Sequence, residues 1–350
     1  MDYTTIVSDI ENTLNTTLDS STRVFDVDDE FTPIQKFKTA AYCAIGLCGL
    51  LGNLLACAAF WSFQSQLNRV SLLIFTQALA DLITSVLLIL FGITQIWRHR
   101  SPTSPWLCRF WWTQFVLFFF TAISSFNLML MSLERYSAVV HPLKYARCFT
   151  RRNTKIFVAI LWLVAPVMQY AHPTFWTTVA SGSCKAVAPL GRIVQALTGS
   201  MLYLWEFLLP VCIMGFCYIS IVRALRRQER VCHTPAQPGS TGAGKMSARN
   251  RNITMTLITL FVLFVICWAP NQTTFFQFNL GGPLDYQGGW YHFTVILAFL
   301  NSCVNPFVYA FRMKQFRQRV VMMLCCGCGS RGNRRQGSQS NRTTVVQSVA

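Results

Sequence analysis

The sequence predicts an all-α membrane protein: a seven-transmembrane helix bundle followed by a short amphipathic cytoplasmic helix. Of the 350 residues, 53% are hydrophobic and only 12% are charged, whereas soluble domains carry about a quarter charged residues. Seven apolar runs of about 20 residues follow one another, each long enough to cross about 30 Å of hydrocarbon. They are uninterrupted rather than alternating, which excludes a transmembrane barrel. The predicted spans, called the first to the seventh below, are 39–61, 70–96, 107–133, 156–172, 197–222, 253–280 and 291–311.

Charges on the loops predict the orientation of these spans. Eight of the 13 acidic residues lie within 1–30. Five basic residues lie at 144–155, seven at 223–251 and eight from Arg312 onward, whereas the loops of the opposite side hold about five. The positive-inside rule therefore places the N-terminus outside the cell and the C-terminus in the cytoplasm. The net charge of +17 is thus explained by membrane topology and does not indicate nucleic-acid binding.

Composition divides the chain into four regions. Residues 1–35 are predicted to be an acidic, disordered extracellular tail, and 36–311 the seven-transmembrane bundle. Basic and apolar positions alternate at helical spacing over 312–328, which favours an amphipathic helix on the membrane surface. Residues 329–350 are predicted to be a disordered cytoplasmic tail. Prolines and glycines make 228–248 a predicted flexible linker.

The same topology predicts three kinds of covalent modification. Only Cys108 and Cys184 of the 14 cysteines face the oxidising side, so we expect one disulfide between them. Asn15 begins the one glycosylation sequon of the extracellular tail. Cysteines just beyond the seventh span are candidates for palmitoylation: Cys325, Cys326 and Cys328.

Three acids within the apolar spans are the strongest signals of function. Charged groups inside membrane helices are costly and usually functional. Asp81 lies in the middle of the second span, Glu206 lies in the fifth, and Glu134-Arg135-Tyr136 ends the third. Two interfacial charges that reach the lipid headgroups are the alternative interpretation of the last motif.

Further motifs occur in register on the other spans. Together they resemble the rhodopsin-like (class A) G-protein-coupled receptors, and most of all the neuropeptide receptor branch. A single Glu-Arg-Tyr is weak evidence, but one motif on each of seven spans is specific. The resemblance rests on Gly52-Asn53, Leu79-Ala80-Asp81, Glu134-Arg135-Tyr136, His141-Pro142-Leu143, Trp162, Pro210, Tyr218, Cys267-Trp268-Ala269-Pro270 and Asn305-Pro306-Phe307-Val308-Tyr309.

The resemblance implies an activation switch at the cytoplasmic face. Arg135 is expected to pair with Glu134 at rest, and Leu143 to fill an apolar socket on the G protein. Many relatives have an acid at the inner end of the sixth span that holds the arginine, but 248–252 contains none. This absence predicts some ligand-independent signalling. The implied coupling residues are Glu134, Arg135, Tyr136, Leu143, Tyr218, Asn305, Pro306 and Tyr309, and the implied toggle is Phe264, Trp268 and Pro270.

The resemblance also implies a sodium ion beside Asp81 in the inactive state. Polar side chains of the third and seventh spans could supply its other ligands. A hydrogen-bonded polar cluster without an ion is the alternative, and no other cofactor is expected. The implied site is Asp81, Ser124, Asn301 and Asn305, with Ser302 nearby.

Two ligand classes of the family are excluded. Amine receptors use an aspartate of the third span, and no Asp or Glu occurs between Arg109 and Leu133. Opsins need a lysine in the seventh span, and none occurs from Trp290 to Phe311. A neuropeptide is therefore the expected ligand. An acyl lipid is the alternative, although a lipid pocket should be mainly aliphatic.

A polar and aromatic pocket is predicted around Glu206. Its carboxylate is expected to contact a basic or hydroxyl group of the ligand, or else to bond to Tyr203, Gln169 or a water. Cys108 and Arg135 are 27 residues apart, about two more than the family usually shows. The sequence therefore leaves open which residues of the outer third span, Gln114 among them, face the pocket. The predicted pocket is Glu206, Tyr203, Gln114, Asn271, Gln272, Phe275 and His292.

Other function classes fit less well. A transporter would favour an internal repeat, and an enzyme would need clustered nucleophiles, bases or metal ligands. A non-signalling scavenging receptor is a further alternative, but the intact motifs favour signalling. The expected partners are the extracellular ligand, a heterotrimeric G protein, the lipid bilayer of the plasma membrane, and arrestin and receptor kinases acting on Ser338, Ser340, Thr343 and Thr344.

Overall fold

The computed structural model describes seven stretches of the chain: 33–61, 69–97, 104–180, 183–186, 191–232, 241–285 and 288–329. The predicted glycosylation site Asn15, the tail kinase sites and most of both predicted tails lie outside the described residues. The helices, in chain order, are α1 Pro33–Trp61, α2 Arg69–Trp97, α3 Phe115–Val140, α4 Pro142–Cys148, α5 Arg151–Trp176, α6 Gly191–Tyr203, α7 Leu209–Cys232, α8 Thr241–Asn279, α9 Gly289–Arg312 and α10 Lys314–Gly329.

Two π-helical segments and one hairpin complete the described structure. The first π-helix, Leu107–Trp112, precedes α3, and the second, Leu204–Leu208, joins α6 to α7. Strands β1, Thr177–Ala180, and β2, Ser183–Ala186, pair antiparallel after α5. The first to fourth spans thus correspond to α1, α2, α3 and α5. The fifth comprises α6, the second π-helix and α7, and the sixth and seventh are α8 and α9.

The fold is a membrane bundle of helices. Within the described residues, six helical stretches are long and apolar enough to cross a membrane, and they cover every span except the fourth. The predicted fourth span lies in the 26-residue helix α5. Leu51, Leu163 and Val167 are about 70% exposed, whereas Asn53 and Asp81 are fully buried. Apolar side chains on the outside and polar ones within are the arrangement that lipid favours.

Two sequence predictions about element boundaries are wrong. The third span is not one helix over 107–133, because the backbone breaks at Thr113 and Gln114, between the π-helix and α3. The linker predicted at 228–248 is helical at both of its described ends, since α7 continues to Cys232 and α8 begins at Thr241. Good helix formers at 245–249 outweigh the glycines of the first turn of α8.

The helix that follows the seventh span packs beneath the bundle. Its first residue is Lys314, and Met313 separates it from α9. Phe316 is buried, with its ring 6.0 Å from that of Phe60 and 6.1 Å from that of Tyr309. These contacts hold α10 against α1 and α9. The predicted palmitoylation sites lie in the last turns of α10, so palmitoylation there stays a prediction.

Candidate functional site

Two ends of the bundle matter for function, and they are called here the Arg135 end and the Cys108 end. At the Arg135 end, the last turns of α3 hold a buried ion pair. The Arg135 Nε donates to Glu134 Oε2 at 2.5 Å, and its Nη2 donates to Oε1 at 2.7 Å. Arg135 is only 6% exposed and Glu134 is fully buried. The two parallel hydrogen bonds fix both the distance and the plane of the pair.

Tyr145 is a third member of this pair, and the sequence analysis missed it. Its hydroxyl donates to Glu134 Oε1 at 2.6 Å. The Arg69 guanidinium lies 4.6 Å from the centre of the Tyr145 ring. Burial, with the Glu134 carboxylate as a further cause, raises the pKa of Tyr145 above its ordinary value, so the hydroxyl keeps its proton. No sequence pattern marks Tyr145, because its position depends on how α4 folds back beneath α3.

The other predicted coupling residues do not all lie at Arg135. The Tyr136 hydroxyl is 3.2 Å from His141 Nε2. Leu143 is 88% exposed at the Arg135 end. Tyr218 packs on Phe261 with ring centres 5.5 Å apart. The Tyr309 hydroxyl is buried without a hydrogen-bond partner among the described residues. Their predicted contacts near Arg135 belong to an active state and stay predictions.

Aromatic rings connect the fifth and sixth spans in the middle of the bundle. The Phe264 and Trp268 rings are 6.0 Å apart, and the Phe207 ring is 6.3 Å from Phe264. Pro270 lies inside α8, two residues after Trp268, where it removes one helical hydrogen bond. Phe207, Phe264 and Trp268 therefore form one aromatic layer, called here the Trp268 layer, and Pro270 follows it in α8.

The predicted sodium site is a polar cluster centred on Asp81. Asn305 Nδ2 donates to Asp81 Oδ2 at 2.7 Å, which joins the second span to the seventh. Gln77 Nε2 donates to the same oxygen at 3.1 Å and also to the Ser124 hydroxyl. Gln77 is absent from the predicted site, although its place one turn before Asp81 could have indicated it.

The cluster fits a cation on one side only. Asp81 Oδ1 and the Asn301 side-chain amide are buried without hydrogen-bond partners among the described residues. Oxygens of this kind are the ligands that hard cations prefer. On the other side, Gln77 already contacts Asp81 Oδ2 and the Ser124 oxygen. Asp81 and Asn301 would therefore hold the ion.

At the Cys108 end of the bundle, Glu206 joins the fourth, fifth and sixth spans. Its carboxylate accepts a hydrogen bond from Gln169 Nε2 at 2.5 Å and another from Gln272 Nε2 at 3.1 Å. Glu206 is 8% exposed, and both glutamines are buried. The predicted structural bond from Gln169 therefore exists, and no bond from Tyr203 is found among the described residues. Each carboxylate oxygen has an amide donor, and this arrangement can exchange those donors for a cationic group.

The second π-helix places Glu206 where the spans meet. The Leu209 N–H bonds to the Leu204 carbonyl, one residue beyond the α-helical partner. Pro210 lacks the N–H that would bond to the Glu206 carbonyl in a regular helix, which explains a π turn at this point. Such turns are frequent at functional sites.

The remaining predicted pocket residues line the same end of the bundle. Asn271 Nδ2 is 3.4 Å from the Thr294 hydroxyl of α9. His292 is buried, and neither ring nitrogen has a hydrogen-bond partner among the described residues. Tyr203 stacks on Phe276 with ring centres 4.4 Å apart, and Phe275 packs on Phe278.

The first π-helix resolves the register of the third span. Cys108 is buried in it and is disulfide-bonded, and β1 lies beside it. Cys184 lies in β2, so its pairing with Cys108 stays a prediction. Gln114 follows with φ +61°, in the left-handed region, and is half-buried at the start of α3. The additional residues between Cys108 and Arg135 are taken up by the π-helix and this break.

These features agree with a family of known proteins. Residues 52–309 match the model of the 7 transmembrane receptor (rhodopsin) family. The chain belongs to this family. It is therefore a multi-pass membrane protein, a class A G-protein-coupled receptor and not an enzyme.

Three relatives of the receptor cover most of its length. The allatostatin-A receptor of Bombyx mori is 25% identical over 296 residues, which is 81% of this chain and 78% of the relative. The somatostatin receptor type 2 of Mus musculus is 29% identical over 328 residues, 87% and 82% of the two chains. The type-1 angiotensin II receptor B of Xenopus laevis is 26% identical over 297 residues, 81% and 77% of the two chains.

Proposed function

We propose that this receptor lies in the plasma membrane with its N-terminus outside the cell, binds a neuropeptide and activates heterotrimeric G proteins. The observation that carries the ligand class is the buried Glu206 carboxylate with its two amide partners. The printed ligands of the three relatives, allatostatin-A, somatostatin and angiotensin II, are peptides. A polar pocket of amides, histidine and aromatic rings suits a peptide better than an acyl chain.

Glu206 would recognise a basic group of the peptide. A guanidinium or ammonium would replace the donors of Gln169 and Gln272 and form a charge-assisted bond, which is stronger than a neutral one. The exchange would loosen the contact between the fifth and sixth spans, because Gln272 would lose its acceptor. Gln272 follows Pro270 by two residues in α8, so a local movement there would reach the Trp268 layer.

The signal would then reach the Arg135 end through α8. Outward movement of that end of the helix would expose Arg135, with Tyr218 and Tyr309 near it in the active state. Leu143, which is 88% exposed, would enter an apolar socket on the G protein. Because 248–252 of α8 contains no acid that could also hold Arg135, some ligand-independent signalling would follow.

Accessory partners complete the proposal. A sodium ion held by Asp81 and Asn301 would stabilise the inactive state, and palmitate at the end of α10 would anchor that helix to lipid. Receptor kinases and arrestin would act on the Ser and Thr residues of the cytoplasmic tail, which lies outside the described residues.

The test is a double-mutant cycle between receptor and peptide. Amidated neuropeptides are screened on cells that express the wild-type chain, and the active peptide is remade with citrulline in place of each arginine. We expect Glu206→Gln to weaken the arginine peptide about 10- to 100-fold, from the loss of one charged hydrogen bond. The same variant should change the affinity of the matching citrulline peptide little.

Two results would contradict the proposal. Equal losses for the arginine and citrulline peptides would place Glu206 in a structural role. Activation by an acyl lipid, with no active peptide, would overturn the ligand class. Nucleotide exchange on purified receptor with G protein separates signalling from binding, and ligand binding without exchange would favour the scavenging alternative.

A further inference from the structure

Gln77 occupies the position beside Asp81 where a cation would otherwise find two of its ligands. The two residues are one turn apart on α2, and both are fully buried. The single Gln77 Nε2 group donates to Asp81 Oδ2 at 3.1 Å and to the Ser124 hydroxyl. Both of its N–H groups are therefore used, one on the second span and one on the third.

Asn127 fixes the direction in which this amide points. Asn127 Nδ2 donates to Gln77 Oε1 at 2.9 Å and to the Leu73 carbonyl at 2.8 Å. The Thr76 hydroxyl donates to Asn127 Oδ1 at 3.1 Å. Because Gln77 Oε1 accepts from Asn127, the opposite side of the amide must present its N–H groups to Asp81. The side chain cannot flip without breaking this buried chain of bonds, which is costly.

The amide does part of what a bound cation would do. One polarised N–H group places partial positive charge against the Asp81 carboxylate, and the other bonds to the hydroxyl oxygen of Ser124. Asp81 Oδ2 also accepts from Asn305 at 2.7 Å. Asp81 Oδ1, the Asn301 amide and the Ser302 hydroxyl are without hydrogen-bond partners among the described residues. A cation therefore meets half of a site unless the amide moves away.

We propose that the Gln77 side chain is a tethered competitor for a monovalent cation at Asp81, so that sodium binds this receptor weakly. A binding site that is free for only a fraction of the time shows an affinity reduced by that fraction. The Gln77 amide is part of the chain, so it is present at Asp81 in every molecule. The fraction of time for which the cation site is free is the fraction for which this amide has moved away. The inference concerns the apo receptor and does not depend on the peptide ligand.

The test compares sodium with choline at equal ionic strength on the purified full chain without ligand. The melting temperature is followed as NaCl replaces choline chloride, because a ligand at concentration c that binds only the folded state stabilises it by RT ln(1 + c/Kd) and so raises the melting temperature once c exceeds Kd. We expect the wild type to respond weakly. Gln77→Leu, which leaves Asp81 and Ser124 free of this amide, should show a sodium-specific rise that begins at about tenfold lower sodium.

Two variants control for general effects of the substitution. Gln95→Leu removes another buried glutamine of α2 that lies three to four turns from Asp81 and should behave as the wild type. Asp81→Asn combined with Gln77→Leu should abolish the gained response, because the carboxylate is lost. If Gln77→Leu does not fold, Gln77→Met can replace it, because methionine also lacks the amide and its side chain is unbranched like that of glutamine.

Two outcomes overturn the inference. One is a wild-type response to sodium as strong as that of the Gln77 variant, which would mean that the amide does not compete. The other is a Gln77 variant that folds and shows no sodium-specific rise. In that case Gln77 acts only as a structural hydrogen-bond link between α2 and α3.

Discussion

At the scale of single residues, Glu134 divides its carboxylate between two kinds of donor. Arg135 makes a bidentate ion pair with it, while the Tyr145 hydroxyl reaches the same oxygen from α4. In the activation that we propose, the arginine leaves this carboxylate, whereas the tyrosine hydroxyl only orients the carboxylate. The resting position of Arg135 therefore depends on a residue outside the motif that the sequence displays.

Replacing Tyr145 by phenylalanine should raise ligand-independent signalling. The change removes one hydrogen bond to a charged group, and because the ring is half-buried we expect a loss near 1 kcal/mol and about a fivefold larger active fraction. GTP exchange by purified receptor with G protein and no ligand measures this. Because the pKa of Tyr145 is raised above its ordinary value, the hydroxyl keeps its proton and the effect should not change with pH around neutrality.

A double-mutant cycle supplies the control for this prediction. Once Glu134→Gln has removed the charge, Tyr145→Phe should add little, because both changes act on one interaction. Additive effects of the two substitutions would show that the Tyr145 hydroxyl does not act through Glu134. GTP exchange that Tyr145→Phe leaves unchanged would show that the hydroxyl does not restrain Arg135.

At the scale of elements, the start of the third span shows how the chain accommodates additional residues. A π-helix holds more residues per turn than an α-helix, and Leu107–Trp112 adopts this form. Gln114 then takes a left-handed conformation, φ +61°, which costs a residue with a side chain about 1–2 kcal/mol.

A pair of small residues at position 114 isolates this backbone cost. Gln114→Gly and Gln114→Ala both remove the side chain, but only alanine has a Cβ that opposes positive φ. We expect the glycine variant to be more stable than the alanine variant by about 1 kcal/mol, or about 2 °C in melting temperature. Equal melting temperatures of the two purified variants would show that position 114 is not left-handed.

At the scale of the whole molecule, small residues let the helices approach closely. A Cβ added at Gly46 of α1 would lie 2.6 Å from Ile89 Cγ1 and 2.9 Å from the Ser85 carbonyl oxygen of α2. At Gly215 of α7, the nearest atom would be 3.9 Å away. Lipid provides no hydrophobic force between helices, so such close packing carries much of their association.

The two glycines form a matched pair for a stability test. Gly46→Ala should destabilise the purified receptor by about 1–3 kcal/mol, because backbone of α2 must shift. Gly215→Ala should leave the melting temperature unchanged or slightly higher, since alanine is the better helix former. Equal effects at the two positions would rule out close packing of α1 on α2 as the cause.

Most of the architecture could be predicted, because lipid demands long apolar segments. The boundaries that failed were set by local backbone geometry, as at Gln114, or by helix extension beyond the membrane, as at Thr241. Within the candidate site, the motif residues were recognisable one by one. Tyr145 was missed because an uncharged polar side chain shows a partner on another helix only when the two helices are placed together. Gln77 lies one turn before Asp81 and could have been recognised from that spacing.

Hydropathy, charge and motif register by themselves determined the fold class and the receptor family, since these signals depend only on residue type and order along the chain. The tertiary structure alone decided which donors face each buried acid. Tyr145 lies on Glu134, and Gln169 with Gln272 on Glu206. The reason is physical: a buried charge requires partners, and residues far apart in sequence become those partners only through helix packing.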